Sequence, residues 1–313
     1  MEYIKVSQAA EKWGISSRRV RILCAEGKID GVIRKGKLYM IPENATKPKD
    51  GRFSKNSIFD EIEYKRERLN SMRPLTSGEL NRLRQEFMIE FTYHSNAIEG
   101  NTLTLQETAI VLEGMTVDQK PLKDHLEAVG HRDAFLYVRD IAMKEVPLNE
   151  STIKDIHSLV LMNQPEDKGV YRRIPVRIMG AFTEPVQPYL IEPRMADLLA
   201  KNEERKKNMN IIERIALFHL EFEGIHPFID GNGRTGRLIL NLELIRNGYP
   251  AINVKFSDRK RYYDAFDSFY RDNNAKPMIN LIAEYVSERY DDYFRILEKA
   301  IKRPLNWTYR KKD

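Results

Sequence analysis

Residues 225–240 read IHPFIDGNGRTGRLIL, and this stretch constrains the chain more than any other. The segment before it, IIERIALFHLEFEG at 211–224, repeats its apolar side chains at helical spacing, and the segment that follows becomes an apolar helix. Between the two lie a histidine, an aspartate, three glycines, an asparagine and two arginines. Gly231, Asn232 and Gly233 let the backbone approach a ligand closely and turn its N–H groups to one point. The helix starting near Gly233 adds its positive end to that point. Arg234 and Arg237, three apart, reach the same anion from one helical face, and each guanidinium fork can hold two phosphate oxygens. Asp230 supplies a carboxylate for a Mg²⁺ that also touches phosphate. His226, neutral at pH 7, can take a proton from an incoming hydroxyl, and Phe228 anchors the loop in the core. Base, metal ligand and anion hole together suit phosphoryl or nucleotidyl transfer.

Other phosphate loops fit less well. The Gly-Lys-Ser/Thr end of a P-loop is absent. Gly231, Gly233 and Gly236 spell G-x-G-x-x-G, but a helix rather than a strand precedes them, which excludes a dinucleotide fold. No second His or Cys lies at ligand spacing from His226, and HExxH is absent, so a zinc centre is not expected.

The residues match a family pattern. HPFIDGNGRTGR resembles the Fic-domain signature H-x-F-x-[DE]-G-N-G-R-x-x-R at every fixed position, and the likeness extends over roughly residues 60–300. Most Fic proteins transfer AMP from ATP to a protein hydroxyl. The resemblance therefore implies ATP as substrate, Mg²⁺ as cofactor, and a Ser, Thr or Tyr hydroxyl as acceptor, on another protein or on the chain itself. Position by position, it implies His226 as general base, Asp230 as the metal ligand, and Gly231, Asn232, Gly233 and Gly236 as the anion loop. Arg234 and Arg237 would hold the β- and γ-phosphates. SNAIEGN at 95–101 is similar to the family's inhibitory motif [ST]-x-x-x-E-[GN], placed ahead of the signature. Ser95, Glu99 and Gly100 are then inhibitory, and a helix at about 76–98 delivers Glu99 to Arg237. Family members often dimerise, so a second copy is a further expected partner, with nothing in the sequence to fix an interface. Reversal of the reaction, with Glu99 orienting a water to release AMP from a modified protein, stays open as an alternative.

The fold expected is mainly α. Capping boxes at Thr76/Glu79 and Thr104/Glu107 open two helices, and Leu80, Leu83, Phe87, Phe91 and Ile98 share one face of the first. Further amphipathic helices follow to the C-terminus. One stretch departs from helical spacing. Residues 169–188, GVYRRIPVRIMGAFTEPVQP, alternate apolar and polar, which predicts an inserted β-hairpin. The family resemblance makes it a flap that pairs with the target segment. His94, His125, His131, His157 and His219 sit on or near helix faces without motif partners, and are read as structural or surface residues.

The N-terminal end is a different unit. SQAAEKWG is a helix with Ser7 as cap, and SSRRVRILCAEG a second, capped by Ser16 or Ser17 and ended by Gly27. GVIRKGKLYMIP then alternates as a hairpin. That order resembles the winged helix-turn-helix of excisionase-like and MerR-like DNA-binding modules. Residues 1–52 hold twelve Lys and Arg against six Asp and Glu, and the rest of the chain is balanced, which suggests a polyanion partner at this end. By this reading Ser16, Ser17, Arg18, Arg19 and Arg21 face DNA, and Arg34, Lys35 and Lys37 form the wing tip. A protein-binding module is the alternative for these residues. For the whole chain, a transcription regulator whose second domain senses nucleotide is the alternative from another class. The expected domains are 1–45, a linker 46–56, and 57–313. No run of 18 apolar residues and no signal peptide is seen, and the single cysteine, Cys24, suits a reducing cytoplasm.

Overall fold

The computed structural model describes residues 3–13, 16–25, 27, 29–36, 38–46, 57–178 and 183–301. The expected linker lies outside the described residues except for Thr46. The chain divides into two compact units, Met1–Asn56 and Ser57–Asp313.

In the first unit, β1 (Tyr3–Lys5) leads directly into α1 (Val6–Trp13), followed by α2 (Ser17–Ala25) and a hairpin of β2 (Ile33–Lys35) and β3 (Leu38–Pro42). The three strands form an antiparallel sheet in the order β1-β3-β2, with Tyr3 opposite Pro42 and Ile33 opposite Met40. Ala9, Trp13, Val20, Leu23, Cys24 and Ile41 make its core. Strand β1 is absent from the sequence reading, and α1 starts one residue before the expected Ser7 cap. The Gln8 side chain accepts the Lys5 N–H at 2.8 Å and so does the capping there. Gly27, at φ +66°, bonds back to Cys24 O and closes α2.

The second unit contains, among the described residues, α3 (Ile58–Ser71), α4 (Ser77–Ile98), α5 (Leu105–Leu112), α6 (Leu122–Met143), α7 (Glu150–Val160), α8 (Ile191–Arg205), α9 (Ile211–Ile225), α10 (Asn232–Arg246), α11 (Arg259–Asp272) and α12 (Lys276–Ile301). Both capping boxes are formed. Helix α10 is the hub. Its Leu240 and Leu244 join one apolar cluster with α9, α11 and α12, while Leu238, Ile239 and Leu242 join a second with α4, α6, α7 and α8. Helix α10 is thus buried on more than one side, polar residues included. Its polar side chains are matched internally: Glu243 pairs with buried Arg214 at 2.8 Å, and Asn241 holds both the N–H and the carbonyl of Ile252. No described helix is long and apolar enough to cross a membrane.

The inserted hairpin expected at 169–188 does not form as strands among the described residues, 169–178 and 183–188. Pro175, Pro185 and Pro188 carry no N–H to give to a ladder. Arg172, 5% exposed, takes the carbonyls that a ladder would use: its Nη1 donates to Ile174 O at 3.0 Å and its Nη2 to Val186 O. The two limbs are thus clasped by a side chain in place of a sheet.

Candidate active site

The loop between α9 and α10 folds largely on its own atoms. His226 ends α9 with φ +50°, a left-handed conformation that costs a residue with a Cβ about 1–2 kcal/mol. Arg172 fixes it from outside: Nε donates to His226 O at 2.8 Å, and the Arg172 N–H donates to Pro227 O at 2.9 Å. Asn232 then closes the turn. Its Oδ1 accepts the Phe228 N–H and its Nδ2 donates to Phe228 O, both at 2.9 Å. The Asn232 side chain therefore shapes the anion loop, and leaves contact with the anion to backbone.

Phe228 is fully buried and stacks on His157 with ring centroids 3.6 Å apart. His157 Nδ1 accepts the Gly169 N–H at 2.9 Å, so its Nε2 carries the hydrogen and donates to Asp230 O at 2.9 Å. Burial pushes the imidazole down to about 4, which keeps it neutral in this role. His157, expected as a structural or surface residue, is buried against the Asp230 loop, which its spacing does not reveal. Gly231, at φ +75°, lies so close that a Cβ there would meet Val160, His157 and Leu161 at 3.3–3.4 Å.

Helix α10 begins with Gly231 as N-cap and no side-chain cap, leaving its first turn to an anion. A carboxylate of the chain lies beside that turn. Glu99, the residue ending α4, accepts from Arg237 Nη2 at 2.7 Å. Its Oε1 lies so near Gly233 that a Cβ at that position would clash with it. Ser95 completes the cradle: its hydroxyl accepts from Arg237 Nε at 3.0 Å and its carbonyl from Nη2 at 2.8 Å. Burial works against the Arg237 charge, and Glu99 together with Tyr262 outweighs it, so the guanidinium is held above its ordinary value. Gly100, at φ +95°, turns the chain away after the glutamate.

A cavity of about 580 Å³ opens beside this ion pair, lined by Glu99, Glu223, His226, Gly233 and Arg237, with Tyr262, Tyr263, Phe266 and Tyr270 as an aromatic wall. Burial lowers His226 to about 4, leaving a neutral imidazole in the wall. Of the residues expected from sequence, the cavity thus gathers His226, Gly233, Arg237 and Glu99. The others sit around it. Arg234, 2% exposed, faces Glu127 at 3.2 Å and Asp230 at 3.4 Å. Gly236 packs α10 against α9, where a Cβ would meet Glu223 Oε1 at 2.5 Å and the His219 ring at 2.9 Å. Burial would raise the Asp230 carboxyl, but Arg234 and the Gly231 N–H hold it below the usual value. Among the described residues no three His, Cys, Asp or Glu side chains converge as a metal centre. A single ionised carboxylate, nearly half exposed in its side chain, fits Mg²⁺, which keeps waters and phosphate oxygens as its other ligands. Glu223 and Arg172 were not singled out from sequence; both act through side-chain placement that spacing does not reveal.

The remaining histidines have local partners: His94 Nδ1 accepts Phe256 N–H, His125 Nε2 accepts Val117 N–H, His131 packs edge-on to Phe91, and His219 bonds Tyr262 OH. In the first unit, Ser16 precedes α2 and Ser17 begins it, with Arg18, Arg21, Arg34 and Lys35 exposed. Lys37 and the Arg19 side chain lie outside the described residues.

Residues 147–244 match the Fic/DOC family. The chain is 32% identical over 237 residues to the protein adenylyltransferase Fic of Drosophila melanogaster, covering 75% of this chain and 47% of that one. It is 35% identical over 243 residues to the protein of the same name from Nematostella vectensis, covering 75% and 55%. The chain spans about half the length of these curated relatives. Among solved structures, it is similar to a Fic domain-containing signalling protein from Bacteroides thetaiotaomicron (TM-score 0.71, 28% identity, 78% of this chain and 98% of that one). It is also similar to a Fic-1 fragment from C. elegans (TM-score 0.69, 29% identity, 78% and 72%).

Proposed function

Residues 147–244 being a Fic/DOC-family domain, we propose that the chain is an auto-inhibited, Mg²⁺-dependent protein adenylyltransferase. One observation carries the reading: a carboxylate, Glu99, lies at the α10 N-terminus on Arg237, in the same cavity as a neutral His226. That is where the terminal phosphates of ATP would go. The name shared by the fly and sea-anemone relatives supports AMP as the group transferred.

In the reaction, His226 takes the proton of a Ser, Thr or Tyr hydroxyl as that oxygen attacks the α-phosphorus and pyrophosphate departs. The free N–H groups of the first α10 turn and Arg237 bind the departing phosphates, holding a fixed positive field where charge develops. Arg234 holds Asp230 in place, and through it the loop. Mg²⁺, which Asp230 would hold, neutralises phosphate charge when bound. The aromatic wall excludes water and offers faces to a nucleobase. While Glu99 occupies Arg237, the terminal phosphate cannot seat and the chain is at rest. Gly100 and Ser95 serve that resting state, one by the turn after the glutamate and the other by gripping the arginine.

The test is incorporation of label from α-labelled ATP in the full chain, in Glu99→Gly, and in Glu99→Gly/His226→Ala. Label on protein in the single variant and none in the double supports the assignment; no label with any nucleoside triphosphate and any offered protein abandons it. Since Glu99 also faces the cavity from which a water could attack an AMP-protein bond, release of AMP from the labelled product is followed in the same samples. Release that Glu99→Gly abolishes would make the enzyme a de-AMPylase at rest.

The first unit is proposed to bind DNA as a winged helix-turn-helix. The exposed Arg18 and Arg21 on α2 and the exposed Arg34 and Lys35 on the hairpin favour it. Gel shift of the full chain against the chain lacking residues 1–52 tests this. A complex that survives the deletion would remove the reading, and with it the regulator alternative.

A further inference from the structure

Two buried polar atoms in the cavity wall lack a well-formed hydrogen bond: Nδ1 of His226, approached by the backbone carbonyl and the carboxyl of Glu223, and Oε1 of Glu223. They belong to neighbours one helical turn apart on α9, and the other carboxyl oxygen, Glu223 Oε2, is 3.9 Å from Nδ1. The Glu223 residue is 9% exposed. Its place is made by Gly236, where any Cβ would meet Oε1 at 2.5 Å. A buried carboxyl oxygen without a partner, in a space that a glycine keeps open for it, is costly unless it is used. As an isolated imidazole, His226 has two neutral tautomers, and only the one with hydrogen on Nδ1 leaves Nε2 free to accept a proton.

We propose that Glu223 is the positioning residue for His226. A short swing of its side chain brings Oε2 onto the Nδ1–H of His226, which fixes the ring orientation and the tautomer and leaves the Nε2 lone pair for the incoming hydroxyl. The proton then moves from that hydroxyl to Nε2, and the imidazolium keeps its Nδ1–H on the carboxyl oxygen. A carboxyl oxygen accepts that hydrogen whether or not the acid is ionised, so the role does not depend on its charge. Catalytic hydrogen bonds commonly tighten only when substrate is bound, which accounts for the 3.9 Å separation at rest. The proposal rests on His226 being the base of AMP transfer. Its competitor is the backbone carbonyl of Glu223, which also faces the imidazole.

The experiment uses the full chain carrying Glu99→Gly, with Glu223 intact or changed to Gln, Leu or Ala. Side-chain ¹⁵N NMR of the six histidines reports the His226 tautomer, assigned with His226→Ala. AMP transfer reports kcat and the KM for ATP. Glu223→Gln, which keeps an acceptor oxygen, should retain the Nδ1–H tautomer and kcat within about threefold. Leu and Ala should mix the tautomers and lower kcat about 10- to 100-fold at unchanged KM, a part of the roughly 10²- to 10⁴-fold that a placed base supplies. An unchanged tautomer and kcat in whichever of Leu and Ala folds would assign the role to the backbone carbonyl and overturn the proposal. A rise in KM with kcat unchanged would also overturn it, making Glu223 a substrate contact. If no variant transfers AMP while the tautomer still responds to Glu223, the function reading fails and the positioning stands; normal transfer in Leu and Ala leaves the function standing and removes Glu223.

Discussion

Glu99 Oε1 lies 2.7 Å from Arg237 Nη2, and the two side chains differ sharply in exposure: 2% for the arginine and 33% for the glutamate. The pair is therefore asymmetric. Arg237 is pinned by Ser95 and by burial, and Glu99, at the end of α4, is the solvent-facing partner. In the proposed auto-inhibited state, control of the site would act on the α4 end and not on the arginine.

Replacing Glu99 by Gly frees the anion site without touching the arginine. The rate of AMP transfer should rise about 100-fold, equivalent to roughly 3 kcal/mol in the barrier. Labelled-ATP incorporation at matched protein concentration checks it. A rate equal to wild type would show that the ion pair does not restrain the enzyme.

Ser95→Ala removes the acceptor for Arg237 Nε. A buried donor left unsatisfied costs about 1–3 kcal/mol, which lowers Tm by about 2–6 °C in a unit of this size. Because the arginine is then held less firmly, transfer should rise, though less than in Glu99→Gly. Calorimetry alongside the transfer assay decides, and a stable but fully repressed variant would contradict the role given to Ser95.

His157→Phe preserves the stack on Phe228 while deleting the bonds to Asp230 O and Gly169 N–H. The fold should persist, with a loosened metal-ligand loop. In the Glu99→Gly background, kcat should drop about tenfold, on the order of 1.4 kcal/mol, and half-saturation by Mg²⁺ should move to higher concentration. Titration of Mg²⁺ at saturating ATP provides the check; unchanged Mg²⁺ dependence would mean that His157 does not place Asp230.

Burial pushes the Glu223 carboxyl up to about 8, with Arg237 opposing and Glu99 adding to the rise. The folded chain therefore keeps a proton that the unfolded chain loses near the ordinary carboxylate value. Stability must fall as pH rises through this interval, levelling off above about 8. His94, His157 and His226, lowered to about 4 by burial, pull the other way only below their ordinary value of about 6.5. From pH 6.5 to 8 the slope from Glu223 is not opposed by them, and Glu223→Gln should flatten it. Urea unfolding at three pH values in that window measures this; parallel curves for the two proteins would disprove it.

The sequence disclosed what depends on local spacing. Thr76 and Thr104 with their glutamates three residues on cap α4 and α5, and the apolar face of α4 carries Leu83, Phe87, Phe91 and Ile98 into the core. The glycine loop before α10 was legible because each of its residue types has one backbone use. What escaped depends on side chains that meet from distant segments. Arg172 reaches across 54 residues to the carbonyl of His226 and turns an alternating segment into a clasped loop. His157 meets Asp230 across 73 residues. Helix α3 is hidden between polar stretches, although Ser57 caps it by accepting the Phe59 N–H and its Ile62 is buried against the α12 side of the core.

The carboxylate at the start of α10 has a consequence for how ligands of this protein are detected. In the proposed resting state a phosphate arriving there would exchange for the Glu99 carboxylate, so binding should add little net stability. Screening by melting temperature would then score wild type as nearly blind to nucleotide, and the Glu99→Gly protein, less stable when empty, as strongly responsive. On the proposed reading the unliganded chain should melt as though a ligand were bound, because its ligand is itself.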